Sequence, residues 1–187
     1  MSGSTRGLRW RTTTGEGETG LEHAELKIAE TGIAAEGVLI GGAGETAHGL
    51  RWRITVDPDW TSFRSLHLTR LGGPTVALRH DGYGEWTDGE GKTRKDFAGL
   101  SDCLVEGEAF GPTALIRRLG AKLKKAQTLE VVTVSVPGLE IAKTAVKIEP
   151  LEGERRFRLT VGEAAREIAV DEDGLVTTWG EALVRLV

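Results

Sequence analysis

Four histidines, His23, His48, His67 and His80, are the first residues to weigh as metal ligands. None stands at short ligand spacing from another, and zinc sites take three or four protein ligands, so no metal is expected. His67 and His80 could meet across a hairpin, as solvated strand surface. Cys103 is the lone cysteine, which excludes an internal disulfide. Its neighbours Asp102 and Glu106 would raise a thiol pKa, so a small buried apolar residue is expected rather than a nucleophile. Gly99-Leu100-Ser101-Asp102 lacks the second glycine of a nucleophile elbow. Gly41-Gly42-Ala43-Gly44-Glu45 has no Lys-Ser/Thr ending, so it reads as a loop between strands and not as a phosphate cradle. Asp81, Glu85 and Asp102 are the first acids to consider as a catalytic pair, although turn aspartates usually bond local amides. No cofactor motif is present, and none is expected.

Aromatic and guanidinium groups are more informative. Five tryptophans, Trp10, Trp52, Trp60, Trp86 and Trp179, stand against one tyrosine. A tryptophan offers a large apolar face with one N–H to satisfy, which suits both cores and pocket walls. Arg117 and Arg118 are adjacent, and forked guanidinium donors can hold an anionic or polyhydroxylated head group, or a helix C-terminus and nearby acids. Trp52, Trp60, Trp86, Phe110, Arg117 and Arg118 are therefore the candidate ligand-binding residues.

These side chains must be carried mostly by strands. Leu50, Trp52, Ile54 and Val56 alternate with polar residues, as do Leu66 and Leu68, Val76 and Leu78, Phe157, Leu159 and Val161, and Ile168 and Val170. That is the signature of antiparallel strands with one wet face. Val131 to Val136 is apolar on both phases and reads as the most central strand. About twelve strands are expected, with one short helix near 112–119 that carries Leu115, Ile116 and Leu119 on one side. Successive helix positions differ by about 100°, so Arg117 and Arg118 must diverge, one to the rim of a groove and the other to solvent or a surface acid. Arg51-Trp52-Arg53-Ile54-Thr55-Val56 recurs as Arg156-Phe157-Arg158-Leu159-Thr160-Val161. The recurrence suggests an internal duplication, with repeats at about 8–100 and 127–187 and Trp86 answering to Trp179.

The 187 residues fit one domain, 1–187, and the net charge of −4 argues against nucleic-acid binding. No apolar run approaches the ~18 residues of a membrane span, and the first residues have no signal-peptide core, so a cytoplasmic location is expected.

Gly99 to Asp102, Phe110 and Ile116-Arg117-Arg118-Leu119 form an ordered set of motifs with Arg64 to Leu68, Asp81 to Trp86, Val136 to Leu139 and Val170 to Val176. In this order, from about Leu8 to Val176, the chain resembles the bacterial family of putative glycolipid-binding domains. It departs from the family pattern at Leu104, where a second acid is usual, and at Gly111-Pro112, where the asparagine of a Pro-Phe-Thr-Asn type segment is missing. The resemblance implies an antiparallel curved sheet, an open half-barrel around an apolar groove, and non-enzymatic binding of an amphipathic small molecule such as a glycolipid or acyl conjugate. Two alternatives remain open. One is a hydrolase or isomerase whose acids converge in the groove, and the other is a protein-interaction module. The polarity of the concave face separates them.

Overall fold

A computed structural model describes residues 4–13, 19–120, 123–152 and 155–186. The strands are β1 (Ser4–Thr13), β2 (Thr19–Ala29), β3 (Gly32–Gly41), β4 (His48–Val56), β5 (Phe63–Arg70), β6 (Thr75–His80), β7 (Trp86–Asp88), β8 (Cys103–Val105), β9 (Gln127–Val134), β10 (Ile141–Pro150), β11 (Arg156–Val161), β12 (Ala164–Val170), β13 (Val176–Trp179) and β14 (Leu183–Leu186). The one α-helix, α1, spans Phe110–Leu119. All fourteen strands form a single curved sheet in the order β7-β6-β5-β4-β3-β2-β1-β14-β13-β12-β11-β10-β9-β8, and the sheet is not closed into a barrel. Fourteen strands replace the expected twelve. The two edge strands, β7 and β8, have three residues each and carry almost no periodic signal.

Two antiparallel meanders are joined where β1 pairs with β14, Arg9 opposite Leu186 and Thr12 opposite Leu183. The apolar alternation sets the curvature. Leu8 and Trp10, Ala24 and Leu26, Ile33 and Ala35, Trp52 and Ile54, and Leu66 and Leu68 are buried in register on the concave face. Gly37 faces Trp52 across β3 and β4, and a Cβ there would lie 2.9 Å from the indole Cζ2 and 2.3 Å from the His23 carbonyl oxygen. Only glycine lets that ring lie against the sheet.

β8 and β9 form the one parallel pair among the described strands, Cys103 opposite Val132 and Val105 opposite Val134. A parallel pair needs a crossover that passes over a sheet face, and α1 lies in that crossover. It packs into the concave space against β4, β8 and β13. Phe110, Leu115, Ile116 and Leu119 are buried there, each fully buried apolar side chain contributing about 1.5–3 kcal/mol. Thr113 docks the helix, donating to the Ala109 carbonyl at 2.9 Å and accepting the Val176 N–H at 3.1 Å.

The helix begins two residues before the expected 112. The Glu108 carboxylate accepts the Phe110 N–H and, at 2.8 Å, the Gly111 N–H, taking over the capping role. β9 is buried on both phases as expected, Val131, Val132 and Val134 all being nearly inaccessible, but it is the penultimate strand and not the central one. The sheet rolls until Arg70 on β5 reaches the Pro137 carbonyl just after β9, 3.4 Å away, so the end of the sheet is covered as well as its middle. His67 and His80 do not meet: His67 is exposed, whereas His80 is buried beside Trp86. β4 and β11 both turn their Arg-aromatic-Arg apolar set inward, yet β7 lies three strands from β4 and β13 only two from β11. Trp86 and Trp179 therefore stand on strands of opposite relative direction and are not equivalent. No helix among the described residues is long and apolar enough to cross a membrane.

Candidate functional site

α1 lies inside the half-barrel, and a cavity opens beyond each of its two ends. The end next to the helix C-terminus holds a cavity of about 690 Å³ walled by Trp60, Ile116, Arg117, Leu123, Phe157 and the 170–174 turn. Trp60 sits in the loop between β4 and β5 at φ +60°, an uncommon conformation for a bulky residue. The loop pins it there. The Trp60 N–H donates to the Asp57 carbonyl, and the Asp57 carboxylate accepts the Thr61 N–H at 2.7 Å and the Thr61 hydroxyl at 2.6 Å. Strain of this kind is kept where the surroundings enforce it, often at ligand sites.

Arg117 leaves the last turn of α1 with its guanidinium 4.3 Å above the Trp60 ring, a cation–π contact. It donates Nη1 to the Asp173 carbonyl, while its Nε–H has no acceptor among the described residues. Burial lowers its pKa, although a guanidinium remains charged. Gly174, at φ +75°, makes room for it: a Cβ there would lie 3.1 Å from Arg117 Cγ. Behind Trp60 the Phe110 ring follows at 5.7 Å and Trp52 at 6.5 Å from Phe110. One aromatic row thus runs from the cavity into the core.

The two arginines diverge, as the 100° step requires. Arg118 makes a bidentate ion pair with Asp102, at 2.8 and 2.6 Å. Its partner is buried, at 6% side-chain exposure, and is not a surface acid. Of the six candidate ligand-binding residues, Trp60 and Arg117 line the cavity, while Phe110 and Trp52 back it. Trp86 lies elsewhere, stacked on Phe63 at 5.5 Å and donating to the Leu100 carbonyl at 2.9 Å.

The concave interior is not wholly apolar. Glu22 on β2 and Glu108 before α1 are both fully buried. Glu22 accepts the Ala109 N–H at 3.1 Å. Burial raises its pKa well above the ordinary carboxylate value, and the Glu108 charge raises it further. Burial pushes Glu108 up to about 7 against the lowering by its two amide bonds. The Trp52 indole N–H lies near Glu22 without reaching hydrogen-bond geometry. This is the convergent acid pair that the enzymatic alternative needs, but it lines neither end cavity and its oxygens serve the start of the helix.

Two of the three acids first considered, Asp81 and Asp102, have structural partners. Asp81 accepts the Tyr83 and Glu85 N–H groups, which hold its pKa down, and Asp102 holds Arg118. Cys103 is buried, and desolvation, then Glu108 and Asp102, push its thiol pKa far up. Glu106 instead accepts the Val136 N–H. Among the described residues no group of three or more His, Cys, Asp or Glu side chains could hold a metal ion.

A family model described as "Putative glycolipid-binding" matches residues 7–185. The chain belongs to that family. Among solved structures, this glycolipid-binding family chain is similar to a DUF1089 family protein from Pseudomonas aeruginosa, with 24% identity, a TM-score of 0.74, and coverage of 88% of this chain and 92% of that one. At that identity the likeness shows the shared fold alone. No functionally curated protein matches the chain.

Proposed function

We propose that the protein binds an amphipathic small molecule carrying a hydroxylated head group, a glycolipid or acyl conjugate, without transforming it. The observation that carries this reading is the Trp60–Arg117 stack at the wall of the 690 Å³ cavity. That volume lies within the usual range for small-molecule pockets, about 300–1,000 Å³. Its lining is of two kinds. Ile116, Leu123 and Phe157 suit an apolar segment, while Arg117 and the Asp171–Asp173 turn offer donors and acceptors for hydroxyls. Membership of a family described as glycolipid-binding supports the same class of ligand.

The sealing of Glu22 and Glu108 favours binding over acid–base catalysis, which needs groups within hydrogen-bond reach of the substrate. Native mass spectrometry of protein purified from cells, with lipid extraction, tests the proposal. A co-purifying amphiphile, lost on Trp60→Ala, is the expected result. No bound amphiphile, together with no binding to a panel of glycolipids and acyl conjugates, contradicts it.

A further inference from the structure

The opposite end of the half-barrel, beside the start of α1, holds a second cavity of about 390 Å³. Leu104, Val134, Val161 and Leu183 give it an apolar floor, and Ala142, Ala164 and Ala182 leave the space open. Trp179 forms part of the wall. Its indole N–H is buried without an acceptor among the described residues, whereas Trp10 donates to the Val176 carbonyl and Trp86 to that of Leu100. A buried tryptophan N–H normally finds a partner, so this one is a donor awaiting an acceptor. Arg166 stands at the same cavity with its stem against Gly180, and it makes no ion pair among the described residues. Glu106 and Glu140 complete the polar rim.

We infer that this cavity is a second ligand site, which takes the alkyl chain of an amphiphile with an uncharged, hydroxylated head. The apolar floor accepts the chain. The Trp179 N–H donates to the first oxygen beyond it. Arg166 donates to the head-group hydroxyls, and Glu140 accepts from them. Two carboxylates against one guanidinium make the rim unfavourable for an anionic head, which separates this ligand from a fatty-acid carboxylate. The site stands apart from Trp60 and Arg117 and does not depend on them.

The test follows the indole N–H resonances of the folded full chain by nuclear magnetic resonance, with octyl β-glucoside added below its micellar concentration. Trp179→Phe assigns the Trp179 signal. That signal is expected to move with octyl glucoside, not with glucose, and more weakly with octanoate. Ala164→Leu, which fills the cavity from an exposed position, is expected to weaken the response about tenfold or more, a change of 1.4 kcal/mol or above. Arg117→Ala should leave it unchanged. An unmoved Trp179 signal, or one that responds equally in Ala164→Leu, overturns the inference. Octanoate that binds more tightly than the glucoside overturns the assignment of an uncharged head. A response confined to the Trp60 indole leaves the first site standing and removes this one.

Discussion

The two ends of the half-barrel are built from the same sheet and divided by the same helix, yet they differ in chemistry. At the helix C-terminus the wall is aromatic and charged, and Arg117 is held between the Trp60 ring and the Asp173 carbonyl. At the helix N-terminus the floor is aliphatic, the charges of Arg166, Glu106 and Glu140 stay at the rim, and Glu22 and Glu108 are withdrawn beneath the helix. The contrast follows from helix polarity. Carboxylates gather at the N-terminus, where amide N–H groups point, and guanidinium groups gather at the C-terminus, where carbonyls do. A helix laid along a curved sheet therefore gives its two openings different linings.

The largest expected effect concerns the withdrawn acids. Glu108 titrates at about 7 in the folded chain against 4.5 when free, and Glu22 is raised as well. Because the folded pKa is the higher one, the stabilising contribution is complete below about pH 4.5 and is lost as pH rises through about 7. Stability should thus increase from pH 8 to pH 5, by an amount on the order of 3 kcal/mol from Glu108 alone, at about 1.4 kcal/mol per pKa unit. Asp81, Glu36 and Asp96, whose pKa values are lowered, stay ionised across that window and do not oppose the trend. Urea midpoints at both pH values measure it, and Glu108→Gln should flatten the slope.

Next in size is the contrast between the adjacent arginines. Arg118→Ala strands the buried Asp102 carboxylate and should cost about 3 kcal/mol of stability, the low end for breaking a buried pair, because Arg118 is 23% exposed. Arg117→Ala should instead weaken ligand binding by about 1.5–3 kcal/mol, the range for hydrogen bonds to a charged group. Denaturant titration and binding isotherms of the two variants separate the effects. The smallest effect is expected from Arg156→Ala, also at the charged end. Its 2.6 Å pair with Glu167 is about half exposed on both sides, so the stability change should stay within about 1 kcal/mol.

Much of the sheet was legible because one apolar phase per strand suffices to define it. Trp52, Ile54 and Val56, or Phe157, Leu159 and Val161, declare their inward face by alternation alone. β2 shows where that signal fails: Leu21 is exposed and Glu22 is buried, the reverse of what polarity suggests. The register is set instead by Ala24 and Leu26, and Glu22 is tolerated inside because its carboxyl accepts the Ala109 N–H and burial raises its pKa, which favours the uncharged form. Such a residue becomes visible only when its neighbours two positions away are weighed together. Trp60 and Arg117 could be named from residue type, but their stacking depends on a backbone at φ +60° and on a glycine at 174, which no periodicity reports. Trp86 has the same residue type and a core environment, so composition alone could not separate wall from core. The helix start was misplaced because its cap comes from Glu108 itself and not from a Ser, Thr, Asp or Asn N-cap.

The central claim is that Arg117 and Trp60 recognise an amphiphile's head group. The most direct measurement is the affinity of the chain and its two arginine variants for one alkyl glycoside, each carrying Ala164→Leu to suppress the second cavity, determined by isothermal titration calorimetry at a pH and temperature where all three remain folded. The account predicts that Arg117→Ala binds at least about tenfold more weakly than the parent, whereas Arg118→Ala, though less stable, keeps the parental affinity. Equal affinities for the parent and Arg117→Ala, or no binding by any of the three, would contradict it.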